Sequence, residues 1–245
     1  MNDSSFRHLC TGSLTLEFMR DGELIGSLGL HHGEIVRMDG WTSDARIDEP
    51  LPLLRWLSRH GVTGPLEEVE RAQEIQARSA EAHAAWLRAM PPALRPHVEQ
   101  LEQCMASCPD REERFDGALA ALRRSGASEA EIAEQLATWY GSGRGEWSGY
   151  PNYESVAEEL LTLLGSAALL EALQNRQLSA RAWVGAGRFY AMRAVDEANQ
   201  SEIDAVPAQV RHHMLEQVRH YQATHPRSQS WHDKPVDRLE QAFEE

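Results

Sequence analysis

Lysine is almost missing from this chain. Lys234 stands alone, and every other basic residue among the 24 is arginine. The planar guanidinium favours bidentate pairing with carboxylates over a diffuse cationic surface. Cysteine is equally scarce, with Cys10, Cys104 and Cys108 as the full set of 3. An odd, small number offers no disulfide framework, so reduced thiols are expected. Long apolar runs are absent, because Glu, Arg or Gln interrupts each leucine cluster. A membrane-spanning helix, which needs roughly 20 apolar residues, is therefore not expected. The opening Met1-Asn-Asp-Ser-Ser-Phe-Arg7 has no apolar segment of the kind an export signal carries. Together these absences predict a cytoplasmic protein with no membrane partner.

Basic surface is also lacking. The net charge is −14, and the acidic excess is spread along the whole chain rather than gathered in a tail. Direct nucleic-acid binding needs clustered cations that displace counterions, so it is not expected. A basic protein partner remains compatible, as does simple solubility. Catalytic signatures are missing too. The chain has no Gly-x-Ser-x-Gly elbow, no His-Glu-x-x-His and no Cys-x-x-Cys. The run Gly141-Ser-Gly-Arg-Gly145 lacks the Gly-Lys-Ser/Thr ending of a phosphate loop, and no strand precedes it. No cofactor is expected.

The periodicities present are clear. Leu14, Leu16 and Phe18 alternate with polar residues, as in a half-buried strand. Asp21-Gly22 predicts a tight turn into a second strand over 24–30. His32-Gly33 and Asp39-Gly40 bracket a third strand over 34–38, and a short fourth is expected at 45–47. Such a meander is too small to stand alone and must pack on the first helices.

From Leu51 onward the period is helical. One helix ends at Gly61, and a long, thinly apolar one runs from Leu66 until Pro91-Pro92 stops it. Asp110 with Glu113, Ser128 with Glu131, and Ser155 with Glu158 each read as a capping pair ahead of an apolar stripe, stopped by Gly126, Gly141 and Gly165. Further helices are expected near 167–175, 180–199, 206–221 and 235–243. The fold class is α+β and predominantly α-helical. A small N-terminal antiparallel β-meander packs on a helical bundle or an irregular stack of helix pairs. The expected domains are 1–64 (meander plus first helix) and 65–245 (helical region), or one continuous domain. Pro65 and the junction near residue 109 are the plausible boundaries.

Metal binding fails on geometry. His212, His213 and His220 share a helix, but at 1.5 Å per residue His220 lies about 10.5–12 Å from the other two. A zinc–nitrogen bond is about 2 Å, which leaves Glu216 with one histidine. The stripe of Val210, Met214, Val218 and Tyr221 points elsewhere, so the histidines read as a solvated face. Cys104 and Cys108 sit one turn apart, with His97 about 10.5 Å away by the same rise, and two ligands do not make a site. No metal is expected. Gly185 and Gly187, inside an apparent helix, read as sites of close helix packing.

Two settings remain for function. His31-His32-Gly33-Glu34, with Asp44 nearby, could place an imidazole beside a carboxylate, although a hairpin turn with an exposed histidine is the plainer reading. The loop from Tyr140 to Tyr153 is rich in glycine and aromatics; the plainer reading is that Trp139, Tyr140, Trp147, Tyr150 and Tyr153 fold it back onto the core, and its amides could instead form an anion nest helped by Arg144. Aromatics beside an arginine are also the residue types that anchor interfaces. Trp41, Arg144, Glu146, Trp147, Tyr150 and Tyr153 are the candidate binding residues. The expectation is an acidic, cytoplasmic, bacterial-type protein-binding module. Its concrete form is an immunity-type neutraliser of a basic toxin. The alternatives are an enzyme with a scattered site drawing on His31, His32, Asp44 or Arg144, and an oligomeric structural scaffold.

Overall fold

A computed structural model of the chain describes residues 14–106, 111–144, 151–224 and 235–244. Among the described residues are four strands: β1 (Leu14–Arg20), β2 (Glu23–His31), β3 (Ile35–Met38) and β4 (Ala45–Arg46). Eleven α-helices follow: α1 (Pro50–Arg59), α2 (Gly64–Ala89), α3 (Val98–Ala106), α4 (Arg111–Arg123), α5 (Glu129–Tyr140), α6 (Ser155–Leu164), α7 (Ser166–Asn175), α8 (Ala180–Arg193), α9 (Gln200–Asp204), α10 (Ala208–Thr224) and α11 (Pro235–Glu244). The class is α+β and mostly helical, as the periodicity predicts. The chain divides into two compact units, the first ending at Ala80 and the second beginning at Glu81. That division falls inside α2, where residues 71–80 are all exposed. Among the described residues, no helix is long and apolar enough to cross a membrane.

In the first unit the strands form an antiparallel sheet in the order β1-β2-β3-β4. Asp21 and Gly22 both take positive φ, 53° and 85°. A two-residue turn of that hand matches the natural twist of the strands it joins. Leu14 faces Leu30 and Leu16 faces Leu28 across the first pair, and Leu30 faces Val36 across the second. Leu30 packs with Leu54 and Leu57 of α1 and Val69 of α2, with Leu14, Leu16 and Val36 around them. The small sheet thus buries one face on two helices, as its size requires.

The register breaks between Phe18 and Met19, leaving Ile25 as the extra residue of a bulge. β3 pairs only with Leu28–His31, so residues 23–27 of β2 are paired with β1 alone. They form a two-stranded arm. Phe18, expected on the buried face, is exposed for this reason: its strand outruns the third strand.

The second unit is built on Trp86, Trp139 and the α5–α8 crossing. Trp86 and Trp139 stack with ring centroids 4.3 Å apart, and Trp139 Nε1 donates to the Trp86 carbonyl at 3.1 Å. Residues 182–191 of α8 are all buried. Gly185 is what lets α8 reach α5, because an added Cβ would lie 2.7 Å from the Ala137 carbonyl carbon and 2.8 Å from Gly141 N. Gly187 meets Val218 and Leu239 instead.

The helix starts are partly as predicted. Ser128 Oγ accepts from Glu131 N, and Glu131 Oε2 accepts from Ser128 N, a complete capping box on α5. Asp110 lies outside the described residues. The Ser155–Glu158 pair is a correction: Ser155 lies within α6, and the capping position falls to Glu154, whose side chain makes no cap bond. A tertiary ion pair takes Glu154 instead. The helix expected over 180–199 stops at Arg193. Asp196 there accepts from Ala198 N at 3.0 Å, and Arg193 reaches Glu202 at 2.9 Å and also bonds Asn199. Local side-chain bonds of this kind compete with helix continuation.

Candidate functional site

The first residues of the loop leaving α5 border a buried ion pair. Among the described residues of this loop, the amides of 141–144 are already bonded within the chain. Gly141 N, Ser142 N and Gly143 N donate to the carbonyls of Ala137, Trp139 and Tyr140. Arg144 N donates to Glu154 Oε1 at 2.9 Å. The anion that Arg144 N holds is the chain's own carboxylate.

Glu154 Oε2 accepts from Arg188 Nη1 at 2.5 Å, and the two side chains are only 1% and 2% exposed. The Arg188 guanidinium lies over the Tyr140 ring at 4.4 Å, and Tyr140 Oη donates to Glu158 Oε2 at 2.7 Å. Gly143 closes the site, since any Cβ there would lie 2.6 Å from the Glu154 carboxyl carbon and 2.8 Å from Arg188 Nη1. Burial works against the Arg188 charge, and the Tyr140, Glu154 and Glu158 oxygens outweigh it and hold the guanidinium above its ordinary value. Burial pushes the Tyr140 phenol well up, so it serves as a neutral donor.

Glu158 is raised as well, by burial acting against its Tyr140 bond. A carboxyl whose folded pKa is raised binds its proton more tightly in the folded chain. Its contribution to stability is therefore present at low pH and lost as pH rises through the folded value. Glu158→Gln removes that equilibrium while keeping an oxygen for Tyr140. Melts between about pH 4 and 7 should find wild type losing ground to the variant as pH rises from the ordinary carboxylate range. A difference constant with pH would contradict the raised Glu158.

Beyond this network the loop borders a cavity of about 260 Å³ between the start of α8 and the end of α10. Arg144, Arg181 and His220 face it, with Val184 among its apolar lining. Arg144 is the candidate residue that the structure places on a concave surface. Tyr153 is half-buried, with its ring 4.4 Å from His83 and 5.0 Å from Trp86. His83 Nε2 is also 2.7 Å from Glu102 Oε1, a pairing that periodicity does not reveal. Glu146, Trp147 and Tyr150 lie outside the described residues. Trp41 is exposed in the first unit, with its amide bonded to the Met38 carbonyl at 3.0 Å.

The histidine motif of the first unit splits. His31 is buried at the end of β2, so of the pair expected at a hairpin turn only His32 is the exposed histidine. His32 takes the left-handed turn position and pairs with Glu68 at 3.0 Å. Asp44 is gripped by Arg37 through two bonds of 2.7 and 2.8 Å. Cys104 is buried in the core of the second unit, while Cys108 lies outside the described residues. Val210, Met214 and Val218 are buried; His212 and His220 are exposed, and His213 sits edge-on to Trp183 at 4.6 Å. Among the described residues, no three metal-ligating side chains cluster.

Among the described residues, four exposed large apolar side chains gather on the arm. Phe18, Met19, Leu24 and Ile25 are each between 46% and 57% exposed. No protein-family model, curated protein or solved structure matches the chain.

Proposed function

We propose that the chain is a protein-binding module that docks through the β1–β2 arm of its first unit. The observation that carries this reading is the concentration of Phe18, Met19, Leu24 and Ile25 on two strands that extend past the third. A two-stranded ribbon is marginally stable in water, and large exposed apolar side chains on it add nothing to a lone monomer. Clustered apolar exposure of this kind marks an interaction surface. Glu17, Asp21 and Glu23 lie beside Arg20 on the same arm, so its local charge is acidic like that of the whole chain. The partner that fits has an apolar groove with basic edges, and a neutraliser covering a basic toxin is the concrete form.

Met19→Thr with Leu24→Thr tests the reading. Both side chains are exposed, so stability should stay within about 0.5 kcal/mol of wild type. A photo-crosslinking residue at position 24 should trap one partner in the native host. Against that partner the double variant should lose about 2 kcal/mol or more of affinity, as a buried anchor does. Added salt should weaken the complex by screening its charges. Crosslinks no more specific than those from exposed Ser79, or a large drop in melting temperature for the double variant, would overturn the proposal.

A further inference from the structure

We propose that the cavity at the start of α8 binds the phosphoryl group of a small phosphomonoester. All of the described residues that line this cavity belong to the second unit. Three elements converge there: the loop after α5 brings Arg144, the first turn of α8 brings Arg181, and the last turn of α10 brings His220. The chain carries 38 acidic residues against 24 basic ones, yet no Asp or Glu stands among the described residues lining this cavity. Many other cations of the second unit are already paired. Arg176 binds Glu131 and Glu134, Arg193 binds Glu202, and Arg219 binds Glu240. Among the described residues, the side chains of Arg144, Arg181 and His220 have no such partner.

Backbone geometry adds to the side chains. Ser179 caps α8 by accepting from Ala182 N at 3.2 Å. The amides of Ala180 and Arg181 precede that bond, and first-turn amides have no intrahelical acceptor. They lie at the positive end of a 14-residue helix dipole, a setting that suits an anion. The platform is tied to the core. Gly141 meets α8 backbone to backbone, and Arg144 N is tethered to buried Glu154.

Two guanidinia suit a dianion better than a single carboxylate, and their forks match phosphate oxygens. Val184 and Ala85 supply apolar wall for a short carbon skeleton. About 260 Å³ falls below the range of roughly 300–1,000 Å³ usual for drug-sized ligands, which selects a body of glycerol size over a nucleotide.

Calorimetric titration of the full chain with glycerol 3-phosphate, inorganic phosphate and succinate tests the site. The expected result is saturable one-to-one binding, tightest for glycerol 3-phosphate. Arg144→Gln and Arg181→Gln should each weaken it by about tenfold or more, as loss of a charge-assisted contact does. Both side chains are exposed, so melting temperatures should not move, and Arg176→Gln should bind like wild type. Several results would overturn the proposal: no saturable heat with either phosphate compound; binding that both cavity variants leave intact; succinate binding as tightly as glycerol 3-phosphate; or bare phosphate binding as tightly, which removes the organic body.

Discussion

Gly185→Ala should destabilise the second unit severely, while Gly117→Ala, the same change in another helix, should stabilise it. Helix propensity alone favours alanine at both positions by about 1 kcal/mol. Space decides the sign. A Cβ at Gly117 would meet nothing within 4 Å. At Gly185 it would lie 2.7 Å from the Ala137 carbonyl carbon and 2.8 Å from Gly141 N. Those neighbours are backbone atoms of α5 and of the residue that follows it, so no side chain can turn away. Overpacking usually costs about 1–3 kcal/mol where side chains can adjust, and a backbone clash belongs at or beyond the top of that range. For a unit of this size that corresponds to a melting drop of roughly 6–12 °C. Gly141→Ala should behave alike, because its Cβ would lie 2.7 Å from Gly185 N. Thermal melts of the three variants check the crossing. A neutral or stabilising Gly185→Ala would mean that α5 and α8 do not meet backbone to backbone.

That crossing marks what sequence reasoning can and cannot reach. Glycines inside an apparent helix signal close approach, and Gly185 was legible in that sense. Its contact with Gly141 was not, because nothing local ties residues 44 positions apart. The Ser128–Glu131 box was legible because both partners act within one helical turn. The same spacing at Ser155–Glu158 misleads: Glu154 is drawn into the core by Arg188, and Glu158 by Tyr140. His31 and His32 are adjacent in sequence, yet one ends a strand with its ring buried and the other turns outward. Phe18 fits the strand alternation, and only the length of β3 leaves it uncovered. The cavity has no local signature either, since Arg144, Arg181 and His220 meet only through the packing of three elements.

The Glu154–Arg188 pair should be the most costly polar feature to break. Both groups are buried, so removing one strands a charge in a low-dielectric site, a loss of about 3–5 kcal/mol. Arg188→Met preserves most of the side chain's length and leaves the Glu154 carboxylate to the Arg144 amide. Glu154→Gln keeps an oxygen that can still accept from Arg144 N, but it leaves Arg188 without its carboxylate. That guanidinium does not escape by losing its proton, because arginine stays protonated in proteins. The double variant Glu154→Leu with Arg188→Met removes both charges together. It should recover much of the loss, since a buried ion pair replaced by apolar groups of similar volume is often neutral. The recovery should stay incomplete. Arg144 N loses its acceptor in the double variant, and a hydrogen bond to a charged group contributes about 1.5–3 kcal/mol. Denaturant unfolding of the two single variants and the double completes a thermodynamic cycle. Singles costing less than about 1 kcal/mol each, or losses that simply add, would show that the pair is not the buried, mutually dependent unit described here. Glu154→Gln also separates the two roles of Glu154. If the loop's position depends on the oxygen that receives Arg144 N, this variant should lose stability and still bind glycerol 3-phosphate. If it depends on the charge pair, binding should fall with stability.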